Sequence, residues 1–412
     1  MLAFILNNES VKTVLNSFAA KFSNNDQIAI SEDRMKIILE HFTDITEKRF
    51  CYNKISGLNE TNFSVNSDFV FKVVFPYSDF MKALKIYKNA EYIKITVYKT
   101  GLKIEDSENG VITIYAASII HKDSQDCNIL EARKGKNTGN YLAEINITIP
   151  ELLTAIEKTF CVIPDFNYRI AITGLNFHIK SDSDLNYGKT ELQATDSHRA
   201  IITDLFCEKY CFNGCIDQDF IIPKNAVNGI LKIMKNFKKS QKLVSIRFYY
   251  DYMELYFDDN KICFSSGLIT ESQFPDIKKI IPDNSDRNAM ILNLPEVSRE
   301  FLESFVKNSG KNDKIIFTND PEYTDVVKII NHSTNRELNL PVEYILHGKW
   351  QNSGSDCEIN LPDTAFKANY LLECIKFSKN HLLNILWSGL NTLKITDKVN
   401  NTITVISRIV LQ

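Results

Sequence analysis

The sequence predicts an α+β fold of three tandem domains, each with two helices covering one face of an antiparallel sheet. Three observations lead there. One strand, helix and hairpin pattern is written three times, the chain is long enough for several cores, and polar stretches without periodicity fall between the repeats.

The repeat is clearest at the second helix of each unit. FKVVFPYSDFMKALKIYKN runs from Phe71, FIIPKNAVNGILKIMKN from Phe220 and INLPDTAFKANYLLECIKFSKN from Ile359, predicting helices over 77–89, 223–241 and 367–380. Pro76, Pro223 and Pro362 stand at or just before the first turn, where a missing N–H costs nothing. Paired strands follow over 92–116, 243–266 and 382–407, with Asn, Asp and Gly at their turns. An earlier helix recurs as ESVKTVLNSFAAKF after Asn8, PELLTAIEKTF after Ile149 and PEVSREFLESFVKN after Leu294. The polar segments EARKGKNTGN (131–140) and PDNSDRN (282–288) then bound domains at 1–130, 141–283 and 287–412.

Composition adds little beyond a soluble globular protein: 44% of the 412 residues are apolar and 24% charged. The opening MLAFILNNES has no basic segment and only a short apolar run, so the expectation is a cytoplasmic protein with no membrane partner. Nine cysteines, mostly scattered, point to reduced thiols. Cys207, Cys211 and Cys215 in CEKYCFNGC lack a nearby fourth ligand, so they read as reduced loop cysteines, with a metal site as the alternative.

The net charge of −3 argues against a nucleic-acid partner until its distribution is considered. The second helices carry Lys82, Lys85, Lys88, Lys224, Lys232, Lys235, Lys238, Lys239, Lys367, Lys376 and Lys379 against only Asp79 and Glu373. Any one such helix reads as a solvated face. Surface helices usually interleave both signs, however, and here the acids are missing at the same place in all three repeats. Helices aimed at one polyanion explain the coincidence, and lysines without interleaved aromatics suit the phosphate backbone of double-stranded DNA, bound without sequence preference.

No phosphate-binding loop, dinucleotide fingerprint, HExxH or GxSxG occurs, and the seven histidines show no metal-ligand spacing, so no cofactor or metal is expected. The string ATDSHRA (194–200) sets Asp196 and His198 on one face of an expected strand, where an acid/base pair is the enzymatic alternative. It lacks a nucleophile or a second base, so a non-catalytic protein is expected.

ATDSHRA closely resembles the ATDGHRLA signature of bacterial β sliding clamps, and QFPDIKKIIP (273–282) resembles their FPDYxxVIP signature. The helix KANYLLECIKF (367–377) and the threefold repeat fit as well; the resemblance is good over the second and third repeats, fair over about 68–120 and poor over 23–67. It implies a head-to-tail homodimer of three-domain chains closing a six-domain ring, with helices lining the hole. The dimer contact would involve Ala83, Tyr87 and Val111 on one side and Phe305 and Val306 on the other, although all five fit ordinary core positions equally well.

The resemblance also implies a hydrophobic pocket that receives short peptides from polymerase, clamp loader and repair proteins. Its lining would be Ile172, Thr195, Ser197, His198, Arg199, Ala200, Pro275, Lys279, Ile280, Leu390, Thr392, Ile409 and Leu411, with Arg199 and Thr195 orienting the peptide. Here the sequence departs from the family: it ends SRIVLQ where the family reads like MPMRL, Ala200 replaces a leucine and Ser197 a glycine. The family's aromatic pair after the arginine matching Arg169 is Ile170 and Ala171 here. The resulting expectation is a DNA polymerase processivity factor. Its rival is a clamp-like interaction module that no longer encircles DNA.

Overall fold

The computed structural model describes residues 1–18, 26–33, 36–42, 51–56, 60–65, 71–106, 110–121, 140–182, 187–238, 242–257, 262–282, 288–319, 326–348, 363–377, 382–387, 392–397 and 402–409. Among them are six helices: α1 (Asn8–Ser17), α2 (Tyr77–Ile86), α3 (Ile149–Phe160), α4 (Lys224–Asn236), α5 (Glu296–Lys307) and α6 (Ala368–Phe377). Each begins at the residue after a strand, so one strand-to-helix unit is repeated six times and the fold is α+β. The caps explain the sharp transitions. Asn7 accepts a hydrogen bond from the Ser10 amide at 2.8 Å, and Pro76, Pro223 and Pro295 hold extended backbone just before α2, α4 and α5.

The second helices are shorter than the lysine pattern predicts. Lys88 and Lys238 lie in turns beyond α2 and α4, where their amides reach back three residues, to Lys85 and Lys235, at 3.5 Å. Such tightening ends a helix. Lys367 is the last residue of the strand Thr364–Lys367, not a helical residue. Pro362, Lys239 and Lys379 lie outside the described residues, as does most of the 131–140 segment.

The chain divides into two compact units, Met1–Ile156 with Phe177–Thr190 and Leu205–Ser272, and Glu157–Asn176 with Glu191–Asp204 and Gln273–Gln412. In the first, strand Leu2–Asn7 pairs with Glu60–Val65 on one side and Tyr92–Tyr98 on the other, and that sheet ends at the edge strand Val111–Tyr115. A ten-stranded antiparallel sheet joins elements of the first two repeats, where Cys51–Ser56 pairs with Ile262–Gly267. Helix α4 turns Ala226, Val227, Ile230, Ile233 and Met234 into this unit's core and leaves Lys232 and Lys235 exposed.

In the second unit, Arg199–Leu205 pairs through Arg199–Thr203 with the C-terminal strand Thr402–Ser407. A separate four-stranded sheet has Arg336–Pro341 and Thr364–Lys367 at its edges. Between them Leu294, Leu302, Val306, Phe317, Phe366, Leu371, Ile375 and Ile406 form one core. The last turn of α3 is tied in by a buried ion pair: Lys158 Nζ lies 3.4 Å from Asp397 Oδ2 and donates to Thr402 Oγ1 at 3.3 Å.

Candidate functional site

ATDSHRA does not run as one strand. The strand Gly188–Thr195 ends at Thr195, residues 196–198 turn, and Arg199–Leu205 begins the next strand. Asp196 and His198 therefore share no strand face. Asp196 Oδ1 accepts from the amides of His198 and Arg199, both at 2.9 Å, while its Oδ2 takes Arg199 Nε at 3.0 Å. Thr195 Oγ1 donates to the Arg199 carbonyl at 2.8 Å and accepts from the Ser197 amide at 3.1 Å. The Asp196 carboxylate thus meets backbone and Arg199 and not the His198 ring, which removes the geometry an acid/base pair would need.

Ser197 adopts φ +76°, a left-handed conformation that non-glycine residues hold at a cost. Ser197→Gly should therefore raise unfolding stability by about 1 kcal/mol. Chemical denaturation checks this, and no gain would mean that the serine side chain compensates locally.

Arg199 is buried at 7% exposure, and each of its three guanidinium nitrogens has a partner within the protein. Besides Asp196, it binds Glu373 through one terminal nitrogen and the Cys161 carbonyl, at 3.1 Å, through the other. Its face lies 4.4 Å from the centre of the Tyr370 ring. The expected role of Arg199 and Thr195 as groups that orient a peptide is corrected accordingly: their polar atoms are used in building the turn.

Around this turn the C-terminal segment is pinned by two backbone bonds, Ser407 N–H to His198 O at 2.8 Å and Ile409 N–H to Ala365 O at 2.7 Å. Thr392 pairs with Ser407, which brings Thr392, His198 and Ile409 into one neighbourhood. Ser197 and His198 are exposed, and Thr392, Pro275 and Ile409 half-buried. Ile172 and Ala200 are buried and offer no wall surface. Lys279 and Ile280 are exposed on the 3-10 turn Ile277–Ile280, whose Lys278 meets Glu191 at 2.8 Å. Leu390 and Leu411 lie outside the described residues.

Tyr370 was not anticipated. Its ring stacks near that of His198, 6.4 Å between centres, and Lys367 Nζ stands 5.3 Å from its centre. Burial, with the Asp196 charge next, raises the Tyr370 hydroxyl above its ordinary value. The signal was present in KANYLLECIKF, where Tyr370 and Glu373 are three apart and so share a helix face.

Of the lysines, Lys82 and Lys85 on α2, Lys232 and Lys235 on α4 and Lys376 on α6 are exposed helical residues. Lys88 and Lys238 are exposed in the following turns, and Lys224 opens α4 half-buried. The pairs Lys82/Lys85 and Lys232/Lys235 are three apart, so each presents two charges on one face.

The five interface candidates separate. Ala83, Tyr87 and Val306 are core residues, at 3%, 0% and 1% exposure, and the Tyr87 hydroxyl donates to the Ile104 and Gly110 carbonyls. Val111 is exposed, and Phe305 is half-buried under the Arg336 guanidinium. Helix α5 carries Val297 and Phe301, both more than half exposed, four apart and in line with Phe305.

Cys211 lies in the strand Lys209–Phe212 and not in a loop, and Tyr141 Oη is 3.3 Å from its Sγ. Burial pushes the Cys207 thiol up to about 11 and that of Cys161 up to about 12, which keeps both protonated. Among the described residues no three His, Cys, Asp or Glu side chains gather as a metal site, and no helix is long and apolar enough to cross a membrane.

No protein-family model and no curated protein matches the sequence. Solved structures do match along the whole chain. The DnaN sliding clamp (DNA polymerase III subunit beta) of Bartonella birtlesii, bound to griselimycin, is 16% identical with TM-score 0.73, and 100% of each chain is covered. The β subunit of Borrelia burgdorferi, in complex with a natural product, is 18% identical with TM-score 0.70, and a putative one from Eubacterium rectale is 14% identical with TM-score 0.74, again over 100% of both chains. The chain has the fold of the bacterial β sliding clamps.

Proposed function

We propose that the chain is a non-catalytic DNA polymerase processivity factor of the cytoplasm. Three clamp domains, 1–130, 141–283 and 287–412, would join head to tail with a second copy, encircle duplex DNA and recruit polymerase, clamp loader and repair proteins through the site at the 195–199 turn. The observation that carries this reading is the recurrence of exposed lysines at Lys82 and Lys85, Lys232 and Lys235, and Lys376 on α2, α4 and α6, on a clamp fold. Loose phosphate contacts from these side chains give a grip that still slides.

Burial moves the proposed ring contact away from Ala83, Tyr87 and Val306. Among the described residues, two surfaces suit a second copy: the edge strand Val111–Tyr115, with Val111 and Tyr115 exposed, and α5 with Val297, Phe301 and Phe305 beside the edge strand Arg336–Pro341. Unpaired edges seek partners, and one copy's edge can extend the other's sheet.

Replacing Lys82, Lys85, Lys232 and Lys235 together by Glu should weaken DNA association at low salt by at least about tenfold. It should also flatten the salt dependence, since each lost phosphate contact removes about 0.9 from the slope of log K against log salt. Unchanged association would refute the DNA-facing assignment. Retention of the loaded wild-type protein on circular but not linear DNA supports encirclement. Equal retention on both favours a module that binds partners without encircling DNA.

A further inference from the structure

We propose that Asn213 is a site of spontaneous chemical modification. Its side-chain amide is lost through attack by the Gly214 backbone nitrogen, leaving aspartate or isoaspartate between the strands Lys209–Phe212 and Asp217–Pro223.

The dipeptide Asn-Gly occurs three times, at 109–110, 213–214 and 228–229. Glycine is the residue most permissive of this reaction, because without a Cβ its nitrogen is open to approach and its backbone turns freely. Asn109 lies outside the described residues, and the structure separates the other two. Gly229 is a buried interior residue of α4, where its amide is spent on the carbonyl four residues back and the nitrogen is not free to swing towards the Asn228 side chain. Asn213 and Gly214 are instead both exposed in the connection between the two strands. Gly214 holds φ +99°, with no atom within 4 Å on the side where a side chain would stand.

Two pins fix the ends of this connection and leave its middle unbound. The Asn213 amide donates to the Leu142 carbonyl at 3.1 Å. Ile216 donates its amide to Ser181 Oγ and accepts from the Ser181 amide at its carbonyl, both at 2.9 Å. Between the pins, neither the Asn213 carboxamide nor the Gly214 amide has a hydrogen-bond partner among the described residues. Both reacting groups are therefore available in the folded protein.

The Gly214 nitrogen bonds to Asn213 Cγ and closes a cyclic imide. The side-chain nitrogen leaves as ammonia, carrying the proton that the Gly214 nitrogen gives up. Water, the one co-reactant, then opens the ring. Cleavage at Cγ gives aspartate, and cleavage at the main-chain carbonyl of residue 213 gives isoaspartate, whose backbone runs through the former side chain. Either product makes the formal net charge of −3 more negative by one, and isoaspartate adds a methylene to the main chain between the two pins.

The test ages the full chain in neutral buffer at body temperature, then digests it with trypsin in heavy-oxygen water, which labels any deamidation that arises during the digest. Asn213 falls in the fragment 210–224 and Asn228 in 225–232. In the folded protein Asn213 should convert at least about tenfold faster than Asn228, whose glycine amide is freed only by opening a core helix, and in denaturant the two should react alike. An isoaspartyl methyltransferase should label the aged 210–224 fragment of the wild type and not that of Asn213→Gln. Asn213 that keeps its amide through ageing of the folded protein, or reacts no faster there than Asn228, overturns the proposal.

Discussion

Arg199→Ala should destabilise the second unit by about 3–5 kcal/mol, because it strips the partner from Asp196 and Glu373 at once and leaves carboxylate charge in a partly desolvated site. The side chain is 7% exposed and joins the turn, α6 and the end of α3 through Asp196, Glu373 and the Cys161 carbonyl. Glu373→Gln should cost much less, since that carboxylate is about a third exposed at 37% and the amide oxygen can still accept. Arg199→Lys falls between, because a lysine can hold one carboxylate but not fork across two while lying on an aromatic face. Denaturant unfolding in this order, Ala worst and Gln mildest, checks the arrangement. An Arg199→Ala protein as stable as wild type would show that the contacts contribute nothing net.

Val306→Asp should unfold the second unit, whereas Phe301→Asp should leave it folded and break the proposed contact with a second copy. The two residues lie five apart on α5 but face opposite ways. Val306 is 1% exposed within the core that holds Leu302, Phe317 and Leu371, and a lone buried carboxylate there costs about 3–5 kcal/mol. Phe301 is 57% exposed, so a charge there should move stability by no more than about 0.5 kcal/mol. Sedimentation and circular dichroism on both variants separate the outcomes. If Phe301→Asp still sediments as a dimer, the self-association surface lies off α5. If Val306→Asp stays folded and becomes monomeric, the core assignment of that side chain is wrong.

The contrast between Phe305 and Val306 shows where the sequence stops being informative. Both are apolar, adjacent and on a helix whose periodicity is plain, yet one packs under Arg336 and the other into the core. Periodicity gives a helix an apolar stripe but not its width, and residues at the stripe's margin are decided by what the neighbouring elements leave room for. The ATDSHRA string is a similar case. Its turn required Ser197 at positive φ, and a serine does not announce a left-handed position as a glycine would.

The sequence by itself determined where strands give way to helices and that Lys82, Lys85, Lys232, Lys235 and Lys376 stand on exposed helix faces, because both are set by local spacing. The tertiary structure alone decided which polar groups are spent on the fold. Glu373 meets Arg199 across 174 residues of chain and Asp397 meets Lys158 across 239, and no local pattern encodes such partners. It also decided that Tyr370 stands beside His198 while Arg199 is turned inward, since a side chain's availability to a ligand is what remains after its own neighbours have claimed it.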